Sequence, residues 1–154
     1  APLGTSNGGD GEDGAVAGTL RVRIVRASGL RLTRQGKRPS PCLKLSISSF
    51  SASGASMEAP FSTKVWSKTQ DPNFNEEFDA SVNNALQSAI DVTVWDRSPH
   101  ATTTSEGFLG ECTFYLADLV PLSGQAITQD LVLRQGRKHP TSVPASGVVR
   151  LQLQ

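Results

Sequence analysis

The sequence predicts an all-β fold, an antiparallel sandwich of seven or eight short strands, on three observations. Apolar and polar residues alternate with period two in stretch after stretch. Turn signals fall between those stretches at Gly29, Gly36, Asp71-Pro72, Ser98-Pro99, Gly124 and Gly136. Only two segments, VNNALQSA (82–89) and LADLVPL (116–122), suit a helix, and both have the length of a loop insert. Many short strands with such spacing pack as two sheets.

The first strand is TLRVRIVRA (19–27), with Leu20, Val22 and Ile24 on one face and Arg21 and Arg23 on the other. PCLKLSIS (41–48) repeats the pattern, Leu43, Leu45 and Ile47 against Lys44, Ser46 and Ser48. STKVWSK (62–68) points Thr63 and Val65 one way and Lys64 and Trp66 the other. In KTQDPNFNEEF (68–78), Asp71-Pro72 turns the chain into a strand on which Phe74, Glu76 and Phe78 share a face. A carboxylate between two phenylalanines requires either a bulge near Asn75-Glu76 or a place for Glu76 at the sheet margin. AIDVTVWD (89–96), GFLGECTFYL (107–116), QDLVLR (129–134) and GVVRLQLQ (147–154) supply four more strands.

Residues 1–18 carry three acids, Asp10, Glu12 and Asp13, with no aromatic and no basic residue. Such a stretch reads as a flexible, acidic, Gly-rich leader or linker, which leaves residues 19–154 as one domain with its own core. The chain holds fifteen Lys and Arg and fourteen Asp and Glu, eleven of the acids beyond the leader, so the domain carries +4. That excess permits an anionic partner and falls short of a dedicated nucleic-acid binder.

Cys42 and Cys112 lie in strand-like runs and read as buried free thiols in a reducing compartment. No run approaches the roughly 20 apolar residues of a membrane span, and no signal segment is evident. GDGEDG (9–14) follows no strand, and its acids would repel a pyrophosphate. Asp96, Ser98 and His100 are too close along one loop for a catalytic relay. His139 stands in a polar segment with no partner in sequence, and Ser40-Pro41 and Ser98-Pro99 read as turn initiators rather than phosphate acceptors. No enzyme activity and no cofactor are expected.

Five pieces in order resemble a C2 domain over residues 19–154: LRVRIVRASGL, PSPCLKLSI, STKVWSKTQDPNFNEEFDASV, DVTVWDRS and GFLGECTFYLADL. The specific signals are DPNFNEEF and the pair VWD and FLGE. The resemblance implies an eight-stranded antiparallel β-sandwich that docks to phospholipid membranes or to proteins. It also implies the permuted strand order of the family, in which the first strand runs straight into the first binding loop.

Members that sense calcium present about five carboxylates from two loops, because the ion needs six to eight oxygens and several negative charges. The matching loops are GLRLTRQGKRPSPC (29–42) and WDRSPHATTTSEGFLG (95–110). Arg34 and Ser40 stand where the family has its first two aspartates, Ser98 replaces another, and the last falls near Gly107 with Glu106 beside it. Asp96 alone matches a ligand, and it reads as a strand-end residue capping the loop backbone. A guanidinium at about 4 Å repels a divalent ion by about 2 kcal/mol even in water. No metal site is therefore expected.

Two basic groups remain as contacts for an anionic lipid or a partner. Arg31, Arg34, Lys37 and Arg38 lie on the first loop, and Lys44, Lys64 and Lys68 match the lysine-rich concave surface that some members use for phosphoinositides. Four bases at about 1 kcal/mol each give about millimolar affinity for a leaflet, so useful docking needs a second module. The expectation is a calcium-independent docking or scaffold domain of a larger intracellular protein. It would bind a protein partner or a neighbouring domain, with auxiliary contact to an anionic membrane surface, and would be cytoplasmic or peripheral at a membrane. The alternatives are a primary phospholipid-binding module and a calcium sensor with an unusual site.

Overall fold

A computed structural model describes residues 4–5, 16–51, 54–57, 60–99, 107–119, 124–136 and 144–154. Two antiparallel sheets enclose one apolar core. The first has four main strands in the order β6 (Glu76–Val82), β2 (Val16–Ser28), β10 (Val148–Leu153) and β9 (Ile127–Val132), and β1 (Gly4–Thr5) pairs with the start of β2. The second runs from β3 (Pro41–Ser51) through β7 (Ser88–Asp96) to β8 (Phe108–Tyr115). Two short strands, β4 (Gly54–Met57) and β5 (Phe61–Ser62), share the remaining edge of β3. The eight-position sandwich is as expected, and both helical segments are single 3₁₀ turns, Ala85–Gln87 and Leu116–Asp118.

Alternation sets the layers. Leu20, Val22, Ile24, Leu151 and Leu153 from the first sheet pack against Leu43, Leu45, Ile47, Ile90, Val92 and Val94 from the second, all buried. Each such side chain contributes about 1.5–3 kcal/mol relative to exposure. Three outward arginines of the first sheet are ion-paired: Arg21 with Asp79 at 3.1 Å, Arg23 with Glu77 at 3.0 Å, and Arg150 with Asp130 at 2.7 Å. Arg150 holds the Asp130 carboxyl below the usual carboxylate range through that hydrogen bond. Much of the positive charge on this face is therefore neutralised in place.

Three local expectations are revised. Strand β2 begins at Val16, inside the stretch assigned to the leader, whose acids lie outside the described residues. Of the STKVWSK run only Ser62 pairs in a strand, at the end of β5; after Thr63 the chain crosses over, leaving Val65 52% and Trp66 38% exposed. Before β6, Asn75 takes a positive φ of 50°, and Glu76 sits at the sheet margin with its carboxylate accepting the Lys64 N–H at 2.9 Å. A backbone irregularity and a marginal position together resolve the FNEEF conflict.

The free cysteines do not pair: Cys42 is buried and Cys112 half-buried, and burial pushes the Cys112 thiol up to about 12. No helix among the described residues is long and apolar enough to cross a membrane.

Strand register places the site. Pro41 pairs with Asp96, Trp95 with Phe108, and Val148 with Ser28. The end of β2 and the starts of β3, β8 and β10 therefore share one end of the sandwich with the end of β7. At that end Gly147, at φ 110°, passes so close to β2 that a Cβ would lie 2.6 Å from the Ser28 carbonyl oxygen. Only glycine fits this approach without backbone movement.

Candidate functional site

Three loops meet at this end: residues 29–40, 63–75 and the segment that begins at Arg97. The first folds back on itself. Gly36, at φ 77°, donates to the Thr33 carbonyl at 2.8 Å, and Thr33 N–H donates to the Lys37 carbonyl at 2.8 Å. Arg34 is thereby placed on the exposed tip, and Lys37 and Arg38 on the returning limb.

Ser40 joins all three loops. Its N–H donates to Asp96 Oδ1 at 2.9 Å, its carbonyl accepts from Arg97 N–H at 2.9 Å, and its Oγ accepts from Lys68 N–H at 3.1 Å. Further bonds run from Trp66 N–H to the Pro41 carbonyl at 2.9 Å and from Thr69 N–H to the Pro39 carbonyl at 2.8 Å. Between them Lys68 is held at φ 48°, a left-handed conformation that disfavours a long side chain by about 1 kcal/mol or more.

Asp96 faces inward. It is 4% exposed, and the same Oδ1 also accepts the Ser98 N–H at 2.9 Å. Its charge acts on Arg31, which is only 6% exposed and so is withdrawn from any external partner. The Arg31 guanidinium donates to the Leu32 carbonyl at 3.0 Å and to the Phe108 carbonyl at 2.9 Å. Burial lowers its pKa, and the Asp96 charge acts in the opposite direction. A protein cation thus sits inside the apex and ties the first loop to the start of β8.

The remaining bases separate into two places. Lys37, Arg38 and Lys68 line a cleft of about 540 Å³ together with Ser40, Ser67, Ser98 and Pro99. No acidic side chain is among those lining residues. Ser98 Oγ is buried there without a hydrogen-bond partner among the described residues. Lys44 belongs instead to the outward face of β3, and Lys64 is exposed just past β5, outside any strand, with its N–H on Glu76. Lys44 Nζ lies 5.8 Å from the Trp95 ring centroid, with Arg97 Cζ also at 5.8 Å. Asp91 stands on that same face, accepting from Ser48 Oγ at 2.8 Å and Thr113 Oγ1 at 3.1 Å, and Glu111 follows across the register from Thr93. The sheet face is charge-mixed, whereas the charged residues among the described lining of the cleft are all bases.

Sequence reasoning misses Trp66. Alternation pairs it with Lys64 on a strand, whereas it stands exposed where the second loop leaves β5, next to the cleft residues Ser67 and Lys68. The available signal is a pair of apolar residues, Val65 and Trp66, just before a Ser-Lys turn. Glu106, His100 and His139 lie outside the described residues. Among the described residues no three His, Cys, Asp or Glu side chains gather to hold a metal.

Comparison with known proteins places this geometry. A family model described as C2 domain matches residues 18–131, well over half the chain. The first C2 domain of plant extended synaptotagmin 1, its domain A, superposes with a TM-score of 0.65 at 22% identity, over 88% of this chain and 92% of that one. The calcium-bound pair of C2 domains, A and B, of extended synaptotagmin 2 gives 0.66 at 17% identity, over 89% of this chain and 45% of that one. Human group IVD cytosolic phospholipase A2 gives 0.65 at 15% identity over 89% of this chain, which spans only 16% of that enzyme. These likenesses show the fold. A comparison with curated proteins finds no matching sequence.

Proposed function

The chain belongs to the C2 domain family, and from that premise we propose that it docks to anionic membrane surfaces without a divalent cation. The observation that carries the reading is the cleft lined by Lys37, Arg38 and Lys68, with no acid among its described lining residues, beside an exposed tryptophan. In a calcium-dependent site the ion supplies positive charge between carboxylates and lipid. Here the described donors do not fit that ion. Asp96 Oδ1 is already engaged by two backbone N–H groups, and the buried guanidinium of Arg31 lies within reach of its charge. Lysine and arginine side chains supply the charge directly.

Magnitudes favour this reading over charge alone. Arg34, Lys37, Arg38 and Lys68 contribute about 4 kcal/mol at an anionic leaflet, which alone gives about millimolar binding. Trp66 is an amphipathic ring of the kind that settles at the headgroup level. Burying about 100 Å² of its surface adds about 2.5 kcal/mol. Together these bring the affinity to about tens of micromolar. A neighbouring module would strengthen it further by avidity.

Co-sedimentation of the chain with vesicles in the presence of chelator tests the reading. Pelleting is expected with phosphatidylserine vesicles at low salt, to weaken as salt rises, and to be absent with phosphatidylcholine alone. Failure to pellet with anionic vesicles at low salt would overturn it and leave docking to a protein partner or adjacent domain as the surviving function.

A further inference from the structure

We propose that Ser67 is a phosphorylation site, and that a phosphate placed there turns into the cleft and releases the domain from anionic membranes. The release rests on the membrane-docking reading; the acceptor site does not. Lys64, Val65, Trp66, Ser67 and Lys68 are all exposed and lie outside any strand, with Ser67 and Lys68 in a turn. No hydrogen bond engages Ser67 Oγ among the described residues, whereas Thr69 Oγ1 nearby accepts the Asp71 N–H at 3.0 Å. The other two serines that line the cleft are withheld. Ser40 is 8% exposed, with its Oγ accepting the Lys68 N–H, and Ser98 Oγ is buried. Of the three, only Ser67 presents its hydroxyl to an enzyme.

Charge selects the kind of enzyme. Lys64 stands three residues before Ser67 and Lys68 directly after it, and no acid occurs from Pro60 to Gln70. Such a stretch complements a kinase whose peptide groove is acidic, because opposite potentials steer encounter and like ones suppress it. The reaction is a phosphoryl transfer from a nucleoside triphosphate. The bond between the γ-phosphorus and the oxygen that bridges it to the β-phosphate breaks, and a bond forms from Ser67 Oγ to that phosphorus. The hydroxyl proton passes to a base of the kinase, and the nucleoside diphosphate leaves.

The position of Ser67 decides what the phosphate then does. It lines the same concavity as Lys37, Arg38 and Lys68, two of which arrive on a different loop. A phosphoserine carries about −1.5 to −2 at neutral pH and projects three strong acceptor oxygens. The three bases offer it charge-assisted hydrogen bonds, and no acid among the described lining competes for them. Their combined charge of +3 falls to about +1 once the phosphate is in place. Losing between one and two charges at the leaflet weakens docking about twentyfold. The phosphate also sets a strongly hydrated group on the residue next to Trp66, the ring that faces the headgroups.

The test has two arms, both on the full chain. In the first, the chain is incubated with ATP, magnesium and the catalytic domain of protein kinase C, as a kinase that accepts basic substrates, and is mapped by mass spectrometry. Phosphate is expected on Ser67; its absence there would overturn the acceptor site. In the second, chain carrying phosphoserine at position 67 by genetic-code expansion is compared with unmodified chain on phosphatidylserine vesicles, with chelator at low salt. Binding about twentyfold weaker is expected, with an unchanged thermal midpoint. The phosphorus resonance is expected to titrate below the ordinary value of about 6, and the Lys37 and Arg38 amide resonances to move. Equal affinity, or a loss of binding that comes with unfolding, would overturn the release and leave the membrane reading intact. An ordinary titration with unmoved Lys37 and Arg38 resonances would put the phosphate in solvent and overturn its place in the cleft. Unmodified chain that fails to pellet would overturn the membrane reading and the release together, while the mapping still decides the acceptor site.

Discussion

Asp96→Ala is expected to lower the unfolding free energy by about 2–4 kcal/mol, through the loss of the acceptor that two backbone donors share. The carboxylate is 4% exposed, and its Oδ1 accepts from both Ser40 and Ser98 N–H at 2.9 Å. Removing it strands two backbone donors and takes away one negative charge that acts on the buried Arg31 guanidinium. Asp96→Asn keeps an acceptor oxygen and loses only the charge, so it should cost about 1–2 kcal/mol. Urea denaturation with an unchanged m-value measures both. An Asp96→Ala cost under about 1 kcal/mol would mean that the carboxylate is not committed to the loop backbone. It would then be available for another role.

The second large effect is on binding. Arg38→Glu with Lys68→Glu converts two attractive bases into two repelled acids at the cleft. At about 1 kcal/mol per charge in each direction, the swing is about 4 kcal/mol, or about three orders of magnitude in affinity for anionic vesicles. Lys44→Glu with Lys64→Glu makes the same formal change on the outward face of β3 and on the exposed segment just past β5. That face already carries Asp91 and Glu111, and Lys44 is engaged over the Trp95 ring. Its reversal should weaken binding by about tenfold at most. The opposite outcome, with the sheet-face pair abolishing binding and the cleft pair not, would relocate the contact surface.

What can be read in the sequence follows from which interactions are local. Leu20, Val22 and Ile24 declare their strand because alternation is a property of neighbours, and β3, β7 and β10 follow in the same way. Strand β4, Gly54–Met57, escapes such a reading, because GASM offers no alternating apolar face. Alternation also carries Val65 and Trp66 into a strand that in fact ends at Ser62; the crossover is held by carbonyls of Pro39 and Pro41, more than twenty residues away. The capping role of Asp96 is legible from its place at a strand end. The burial of Arg31 is not, since a guanidinium in a polar loop reads as solvated. One of its acceptors is the Phe108 carbonyl, 77 residues further along the chain. The same holds for the cleft. Lys37 and Arg38 are adjacent in sequence, but only the Ser40 hub brings Lys68 beside them and leaves Lys44 and Lys64 elsewhere.

The most direct measurement is the affinity for phosphatidylserine vesicles with calcium and with chelator, read on the same preparation. Side chains rather than a bound ion are proposed to face the lipid, so the two affinities are expected to agree to within about twofold. An increase of about tenfold or more at micromolar calcium, abolished by Asp96→Asn, would show that a divalent cation bridges protein and membrane and would contradict the proposal at its centre.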